Sequence, residues 1–206
     1  MKRRLVCLIL LVALCSNVRA AVLIESMSGL STTPSDTQSL GYRFTSNAAQ
    51  VVTHLGYYDV DGNGLNNSHD VGLWDVGGAL LGQVTVLPTS PVNNGFHYVA
   101  LTVPVALSGG SDYYLAGTTV GDDWVYQASS YTTNAAFTYV DSYYSPFPFV
   151  LTFPSVSAAG TREYFNVNLQ TETSGVPELS SMWALGLALA GLGIALRRSS
   201  LIGPAH

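Results

Sequence analysis

Twelve residues between two apolar runs, Asp59 to Asp70, have side chains suited to binding a divalent cation. Oxygen donors occur at positions 1, 3, 5, 9 and 12 of this stretch, and Gly64 is at position 6. A hard cation such as Ca²⁺ takes about six to eight oxygen ligands. Alternate side chains converge on one ion only where the backbone turns sharply, as glycine allows. The pattern therefore predicts a calcium site whose ligands are Asp59, Asp61, Asn63, Leu65 (through its carbonyl oxygen), Asn67 and Asp70.

The setting of this loop differs from that of a helical calcium motif. The spacing fits the template D-x-[DN]-x-[DN]-G-x5-E, with Asp70 in place of the final glutamate, and it resembles the loops of dockerin modules, which also close with aspartate. The flanking runs, Val51–Tyr58 and Val71–Trp74, predict strands. We therefore expect a calcium-stiffened hairpin loop of a β-domain. The alternative is an ordinary surface turn, because Asp, Asn and Gly are common turn residues.

Catalytic patterns are weaker. The sequence has no G-x-S-x-G motif, and its histidines lack the spacing of a zinc site. Asp75, Asp122 and Asp123 are the acids nearest to what a glycoside hydrolase needs, since carboxylate separation is set in three dimensions. Each is next to Gly or Trp in an expected turn, which favours solvated loop acids. We expect no enzymatic activity, and an extracellular hydrolase remains the alternative.

Aromatic residues are concentrated in a proline-containing stretch, 143–149. Its two prolines disfavour a central strand, so we expect the rings on an exposed loop. Exposed rings can stack on the faces of sugars. A carbohydrate-binding hypothesis therefore names Tyr143, Tyr144 and Phe147 as ligand contacts. The alternative is that these rings cap the end of the core.

The middle of the chain predicts an all-β domain. It is rich in Val, Thr, Tyr and Gly, and short apolar-alternating runs recur between turn signals. We predict an antiparallel β-sandwich of jelly-roll type over residues 21–170. The predicted strands are 22–27, 40–45, 51–58, 71–74, 80–87, 97–103, 113–118, 124–127, 136–140, 149–153 and 164–169.

The first twenty residues have the pattern of a secretory signal peptide. Lys2 to Arg4 form a basic start, an apolar run follows, and cleavage is expected after Ala20. Both cysteines of the chain, Cys7 and Cys15, lie in this segment, so we expect the mature protein to have no disulfide. A lipoprotein anchored through Cys15 is the alternative, although Leu14 occupies a position that takes a small residue.

The C-terminal stretch combines a Pro-Glu signal, an apolar run and a basic pair. We expect a polar linker over 171–175 and a transmembrane helix over 180–196. Residues 179–196 would span about 27 Å as a helix, near the lower limit for a bilayer. The arginines would hold the end of this helix in the cytoplasm, where 199–206 form a short tail. The predicted sorting signal is Val176, Pro177, Glu178, Arg197 and Arg198.

This arrangement resembles the PEP-CTERM sorting tail of bacterial surface proteins, with Leu179 in place of the second proline. The resemblance covers residues 176–198. It implies an inner-membrane-anchored precursor, processing by an exosortase-type enzyme and transfer to the cell surface or matrix. Proteins with such tails are associated with exopolysaccharide and biofilm, so extracellular polysaccharide is the implied partner. A plain C-terminal membrane anchor without processing is the alternative.

The middle of the chain has its own resemblance. The segments 41–44, 55–58, 71–75, 78–81 and 113–117 resemble a domain family of unknown function found in secreted bacterial β-sandwich proteins, over residues 41–119. This implies fold and secretion but no activity. Between Ala21 and Glu178 there are 2 basic and 13 acidic residues, a net charge of 2 − 13 = −11. Such a domain repels nucleic acid and attracts cations. The sequence thus predicts a secreted, non-enzymatic cell-surface or extracellular-matrix protein.

Overall fold

The structure is a computed structural model that describes residues 21–34, 36, 38–145, 150–158, 160 and 162–172. This part of the chain is built of β-strands and turns without a helix, so the predicted all-β class is confirmed. The predicted signal peptide and sorting tail lie outside the described residues. The strands are β1 (Ala21–Val22), β2 (Ile24–Thr33), β3 (Ser39–Ser46), β4 (Gln50–Tyr58), β5 (His69–Asp75), β6 (Leu80–Val86), β7 (Val92–Asn93), β8 (Phe96–Leu107), β9 (Ser111–Thr118), β10 (Trp124–Thr133), β11 (Phe137–Ser145), β12 (Val156–Ser157) and β13 (Val167–Glu172).

The strands pair antiparallel and form two main sheets and a ribbon. The five-stranded sheet has the order β1-β13-β4-β8-β7, and the six-stranded sheet has the order β12-β11-β3-β9-β5-β6. The ribbon pairs β2 with β10. The connections from β3 to β4, β4 to β5 and β8 to β9 each cross between the main sheets. These crossings place loops at the ends of the sheets, where the candidate sites lie.

One hydrophobic core is shared by the two main sheets. Tyr42 and Phe44 of β3 enter it from the six-stranded sheet, and Leu55 and Tyr57 of β4 enter it from the five-stranded sheet. All four side chains are fully buried. Alternate residues of a strand share a face, and burial of each such side chain contributes about 1.5–3 kcal/mol. Two antiparallel sheets around one core are consistent with the predicted β-sandwich.

A second apolar layer covers the outer face of the six-stranded sheet. The ring of Phe153 lies 6.2 Å from that of Trp74 and 4.9 Å from that of Tyr114, and Leu151 packs against the same cluster. The strand predicted over 149–153 is wrong, because residues 150–155 are irregular. Leu151 and Phe153 are partly buried against the sheet from outside without pairing to it, so an apolar run here did not mean a strand.

The ends of the described domain meet at one edge of the five-stranded sheet. Ala21 pairs with Thr171 and Val22 with Gln170. Thr171 is fully buried, and β13 continues to Glu172. The first two residues of the predicted linker, 171–175, therefore belong to the sheet, and the rest lies outside the described residues. Within the part of the chain that the structure describes, no helix has the length and apolar character needed to cross a membrane.

Candidate functional site

The loop 59–68 is organised by the carboxylate of Asp59. The Oδ1 atom of Asp59 accepts a hydrogen bond from the Gly62 amide at 3.1 Å, and its Oδ2 atom accepts one from the Gly64 amide at 2.8 Å. Gly64 has φ +101°, a left-handed conformation that glycine adopts without strain. The sharp turn predicted at this residue is present. The predicted hairpin is wrong, however, because β4 belongs to the five-stranded sheet and β5 to the six-stranded sheet.

The six predicted calcium ligands are only partly brought together. Asp59, Asp61 and Leu65 line one depression of about 140 Å³, and the side-chain amide of Asn63 donates to the carboxylate of Asp61. Asp70 lies in β5, where its Oδ1 atom accepts a hydrogen bond from the hydroxyl of Thr85 at 2.6 Å. This contact turns Asp70 toward the neighbouring strand instead of the loop.

The other side of the depression is formed by Asp122 and Asp123. We predicted both as solvated loop acids, and for Asp122 this is wrong, since it is buried. Its Oδ1 atom accepts hydrogen bonds from the backbone and side-chain amides of Asn66, both at 2.8 Å. Its Oδ2 atom accepts from the Asn67 amide at 3.0 Å and from His69 Nε2 at 3.0 Å. Asp122 therefore fastens the loop to the β9–β10 connection.

These contacts set the ionisation of Asp122. Burial alone raises the pKa of a carboxyl group, but the hydrogen bonds from Asn66, His69 and Asn67 lower it, and the net pKa of Asp122 is lowered from 3.8. A carboxylate that is ionised and already accepts four hydrogen bonds is poorly suited to donate a proton to a substrate. Asp122 is better explained as the anchor of the loop than as a catalytic acid.

His69 extends this anchor into the core. Its ring is fully buried and stacks on that of Tyr57, with centroids 3.7 Å apart and an interplanar angle of 4°. Nδ1 lies 2.7 Å from the carbonyl oxygen of Thr118, and Nε2 lies 3.0 Å from Asp122 Oδ2. The ring therefore bridges the Thr118 carbonyl and the Asp122 carboxylate.

A second histidine lies behind the loop. The buried His97 has its Nδ1 atom 3.0 Å from the carbonyl oxygen of Ser90. Its Nε2 atom lies 3.9 Å from Asp59 Oδ2 and has no hydrogen-bond partner among the described residues. Across the described residues, no three His, Cys, Asp or Glu side chains are grouped as a metal site. A cation here would therefore depend on backbone and amide oxygens as well as on the carboxylates, and calcium binding stays a prediction.

The aromatic residues predicted as sugar contacts do not form one surface. Tyr143 and Tyr144 lie in β11 and not on a loop, so that expectation was wrong, while Phe147 lies outside the described residues. Tyr143 packs edge-on against Tyr114 at 4.9 Å, in the outer cluster of the six-stranded sheet. Tyr144 packs against Tyr164 at 6.4 Å, in a different cluster. Neighbouring residues of a strand face opposite ways, which separates the two rings.

Tyr144 instead lines a surface groove that the sequence did not predict. The groove consists of two depressions, of about 340 and 550 Å³, that share Gln38 and Arg162. We call it the Arg162 groove. Its walls are formed by aromatic and polar side chains from several elements: Thr32, Thr33, Asp36, Gln38, Trp124, Tyr126, Tyr144, Ser157, Arg162 and Tyr164, with Ala158.

Contacts between side chains hold the aromatic wall of the groove in place. The guanidinium carbon of Arg162 lies 5.9 Å from the centre of the Tyr126 ring, a cation–π distance. The Trp124 ring lies 6.5 Å from Tyr126 and 5.6 Å from Tyr164, both edge-on. Burial raises the pKa of Tyr164, and a hydrogen bond from Arg162 opposes that rise. Tyr164 is therefore a neutral hydroxyl near neutral pH.

Two features of the sequence are consistent with this groove. Arg162 is one of only two basic residues between Ala21 and Glu178, so its position was informative. The alternation of Trp124 and Tyr126 also predicts two rings on one face of a strand. What the sequence did not contain was the proximity of β10, β11 and the segment after β12, which meet only in the folded chain.

Comparison with known families gives a match over most of the domain. Residues 28–166 match the family described as Domain of unknown function (DUF4082). The chain belongs to this family. The match agrees with the predicted resemblance to a domain family of unknown function, and it is longer than the 41–119 range inferred from the motifs. No curated protein matches the chain.

The DUF4082 match contains both candidate sites. The Asp59 loop with Asp122, and all the residues of the Arg162 groove, lie inside residues 28–166. The predicted signal peptide and the sorting tail lie outside it. The family gives no activity, so any function has to be argued from the geometry of these sites.

Proposed function

We propose that this DUF4082 protein is an exported, non-enzymatic protein of the cell surface or extracellular matrix that associates with extracellular polysaccharide. Its jelly-roll-like β-sandwich is the exported part. Cleavage after Ala20 releases the N-terminus, and the C-terminal helix holds the precursor in the inner membrane. An exosortase-type enzyme then processes the chain near Pro177 and Glu178.

The observation that carries the proposal is the pairing of Ala21 with Thr171. Ala21, the residue that follows the expected cleavage bond, already belongs to the sheet, and its partner strand reaches Glu172, a few residues before the sorting signal. The described residues between the two targeting segments therefore form both sheets and the core of the sandwich.

Calcium is a second element of the proposal. Asp59, Asp61, Asp122 and Asp123 surround one depression, and a domain with a net charge of −11 between Ala21 and Glu178 attracts cations. We infer that a bound ion would stiffen the loop 59–68 and have no catalytic role. Asp70 could contribute only by leaving its hydrogen bond with Thr85.

The sorting step is tested by changing the signal and following the protein in cell fractions. Changing Pro177→Ala together with Glu178→Ala should keep the protein in the inner membrane, because the processing enzyme would not recognise the tail. Changing Ser174→Ala together with Thr173→Ala, just before the signal, is the matched control and should leave transfer to the surface unchanged. Equal surface display of both double variants would contradict processing and favour a plain anchor.

A further inference from the structure

The Arg162 groove has the size and the walls of a ligand site. Its two depressions, of about 340 and 550 Å³, fall in the range of about 300–1,000 Å³ that is typical of small-ligand pockets. They are shallow and lie side by side, with Gln38 and Arg162 lining both, so a chain of linked units fits this shape better than one enclosed small molecule. The groove runs over the first residues of β10 and the last residues of β11.

The side chains of the groove combine ring faces with hydrogen-bonding groups. Tyr126 and Tyr144 are half-buried, and Arg162 is exposed. Sugars present apolar C–H faces and a border of hydroxyl groups, and aromatic rings with rigid polar neighbours match both features. The guanidinium of Arg162, held over Tyr126, supplies planar donors to hydroxyl oxygens. Gln38 supplies an amide in the same groove.

The indole of Trp124 gives an independent indication that a partner is missing. Trp124 lines the larger depression and is 96 % buried (4 % exposed), and its Nε1–H donor has no acceptor among the residues that the structure describes. A buried donor without an acceptor is unfavourable. A water or hydroxyl oxygen that reached this donor from the larger depression would supply the acceptor.

Charge distinguishes between classes of sugar polymer. The chain from Ala21 to Glu178 has a net charge of −11, so it repels polymers rich in carboxylates. Among the described residues that line the groove, Arg162 is the only cation. The larger depression also contains a carboxylate, Asp36, which accepts hydrogen bonds from Gln38 and Thr119. The groove therefore has no excess positive charge with which to overcome that repulsion.

We propose that the Arg162 groove binds a neutral polysaccharide, with pyranose units against Tyr126 and Tyr144 and hydroxyl groups on Arg162, Gln38 and the Trp124 edge. The assignment rests on the proposed function, since it identifies the class of polysaccharide with which the exported protein associates. It replaces the predicted site of Tyr143, Tyr144 and Phe147 with one that shares only Tyr144.

The test is affinity electrophoresis of the full-length chain, purified in a mild non-ionic detergent. Native gels contain galactomannan, xyloglucan or mixed-linkage β-glucan as neutral probes, or alginate as an anionic probe. At least one neutral probe should retard the wild-type protein. Tyr126→Ala and Arg162→Ala should each weaken that binding about tenfold. Tyr126→Phe keeps the ring and should bind nearly as well as wild type.

Tyr143→Ala is the matched control, since this tyrosine is next to Tyr144 in β11 but packs on the opposite face. It should leave binding unchanged. Three results would each overturn the assignment. The first two are retardation by none of the neutral probes and retardation by alginate alone. The third is a loss of binding in Tyr143→Ala but not in Tyr126→Ala or Arg162→Ala. Because Arg162 is exposed, its variant should melt like wild type, which separates lost binding from lost folding. Binding is measured on purified protein and export is measured in cells. An absence of binding therefore does not contradict the export proposal, and an absence of export does not contradict the binding proposal.

Discussion

The anchoring role of Asp122 leads to a prediction whose magnitude follows from the structure. Asp122→Ala removes a carboxylate that accepts four hydrogen bonds, from two amides of Asn66, from Asn67 and from His69. Hydrogen bonds to a charged group contribute about 1.5–3 kcal/mol each and are not additive. Leaving the buried ring of His69 without this partner adds about 1–3 kcal/mol. We expect the free energy of unfolding to fall by about 3–5 kcal/mol.

This loss is measured by thermal and urea unfolding of the purified protein, followed by circular dichroism. For a domain of this size about 1 kcal/mol corresponds to 2–4 °C in Tm, so the Tm of Asp122→Ala should be about 6–20 °C lower. Asp122→Asn keeps the shape and one oxygen, and its loss should be smaller.

Asp123→Ala is the control for that experiment. It removes the same charge from the next residue, which is exposed, and its effect should stay within about 0.5 kcal/mol. Because both variants lose one negative charge, the difference between their free energies of unfolding reports the buried contacts of Asp122. If Asp122→Ala and Asp123→Ala melt at the same temperature, Asp122 does not anchor the loop and the description of this site is wrong.

Three further predictions concern calcium, pH and packing. With a Kd of about 1 mM, typical of weak extracellular sites, 10 mM calcium should stabilise the protein by about 1.4 kcal/mol. The double variant Asp59→Ala with Asp61→Ala should lose the resulting rise in Tm. Identical melting of the wild-type protein in calcium and in chelator would rule the site out. Because the folded pKa of Asp122 is lowered from 3.8, its stabilising contribution is fully present above about pH 4 and is lost as the pH falls through the folded pKa. In urea titrations between pH 2 and 5, the free energy of unfolding should therefore fall less steeply for Asp122→Asn than for wild type. Parallel curves would refute this. A Cβ on Gly41 would lie 1.9 Å from the carbonyl oxygen of Leu115, so Gly41→Ala should destabilise the domain by at least about 1–3 kcal/mol. The control is Gly77→Ala, because a Cβ there would meet its nearest atom, on the side chain of Asp75, at 3.3 Å. Equal Tm values for the two variants would show that the strand adjusts freely at Gly41.

The alternation of apolar residues was sufficient to locate most strands, because the two-residue period of a strand is a local property. It failed in the ribbon, where β2 and β10 are longer than predicted. Both contain polar runs, such as the Ser and Thr residues near 130–133, which show no apolar alternation. Part of their pairing rests on polar cross-strand contacts such as the Ser26–Thr132 hydroxyl pair at 2.6 Å. Such pairing depends on the partner strand, which the local sequence does not reveal.

The candidate sites show the same limit. The turn at Gly64 was predictable, since a left-handed conformation is a local need that glycine meets. The role of Asp122 was not, because its partner Asn66 is 56 residues away in the chain. The separation of Tyr143 from Tyr144 depended on knowing that they lie in a strand. Long-range contacts thus determine which partners each side chain in these sites has.

We propose that both ends of the chain are removed or embedded while the β-domain is delivered outside. The most direct test is the intact mass of the protein recovered from the cell surface. We expect a surface species that begins at Ala21 and ends near residue 180. Recovery of the protein only from the cytosol, at full length with Met1 and His206 both present, would contradict this proposal.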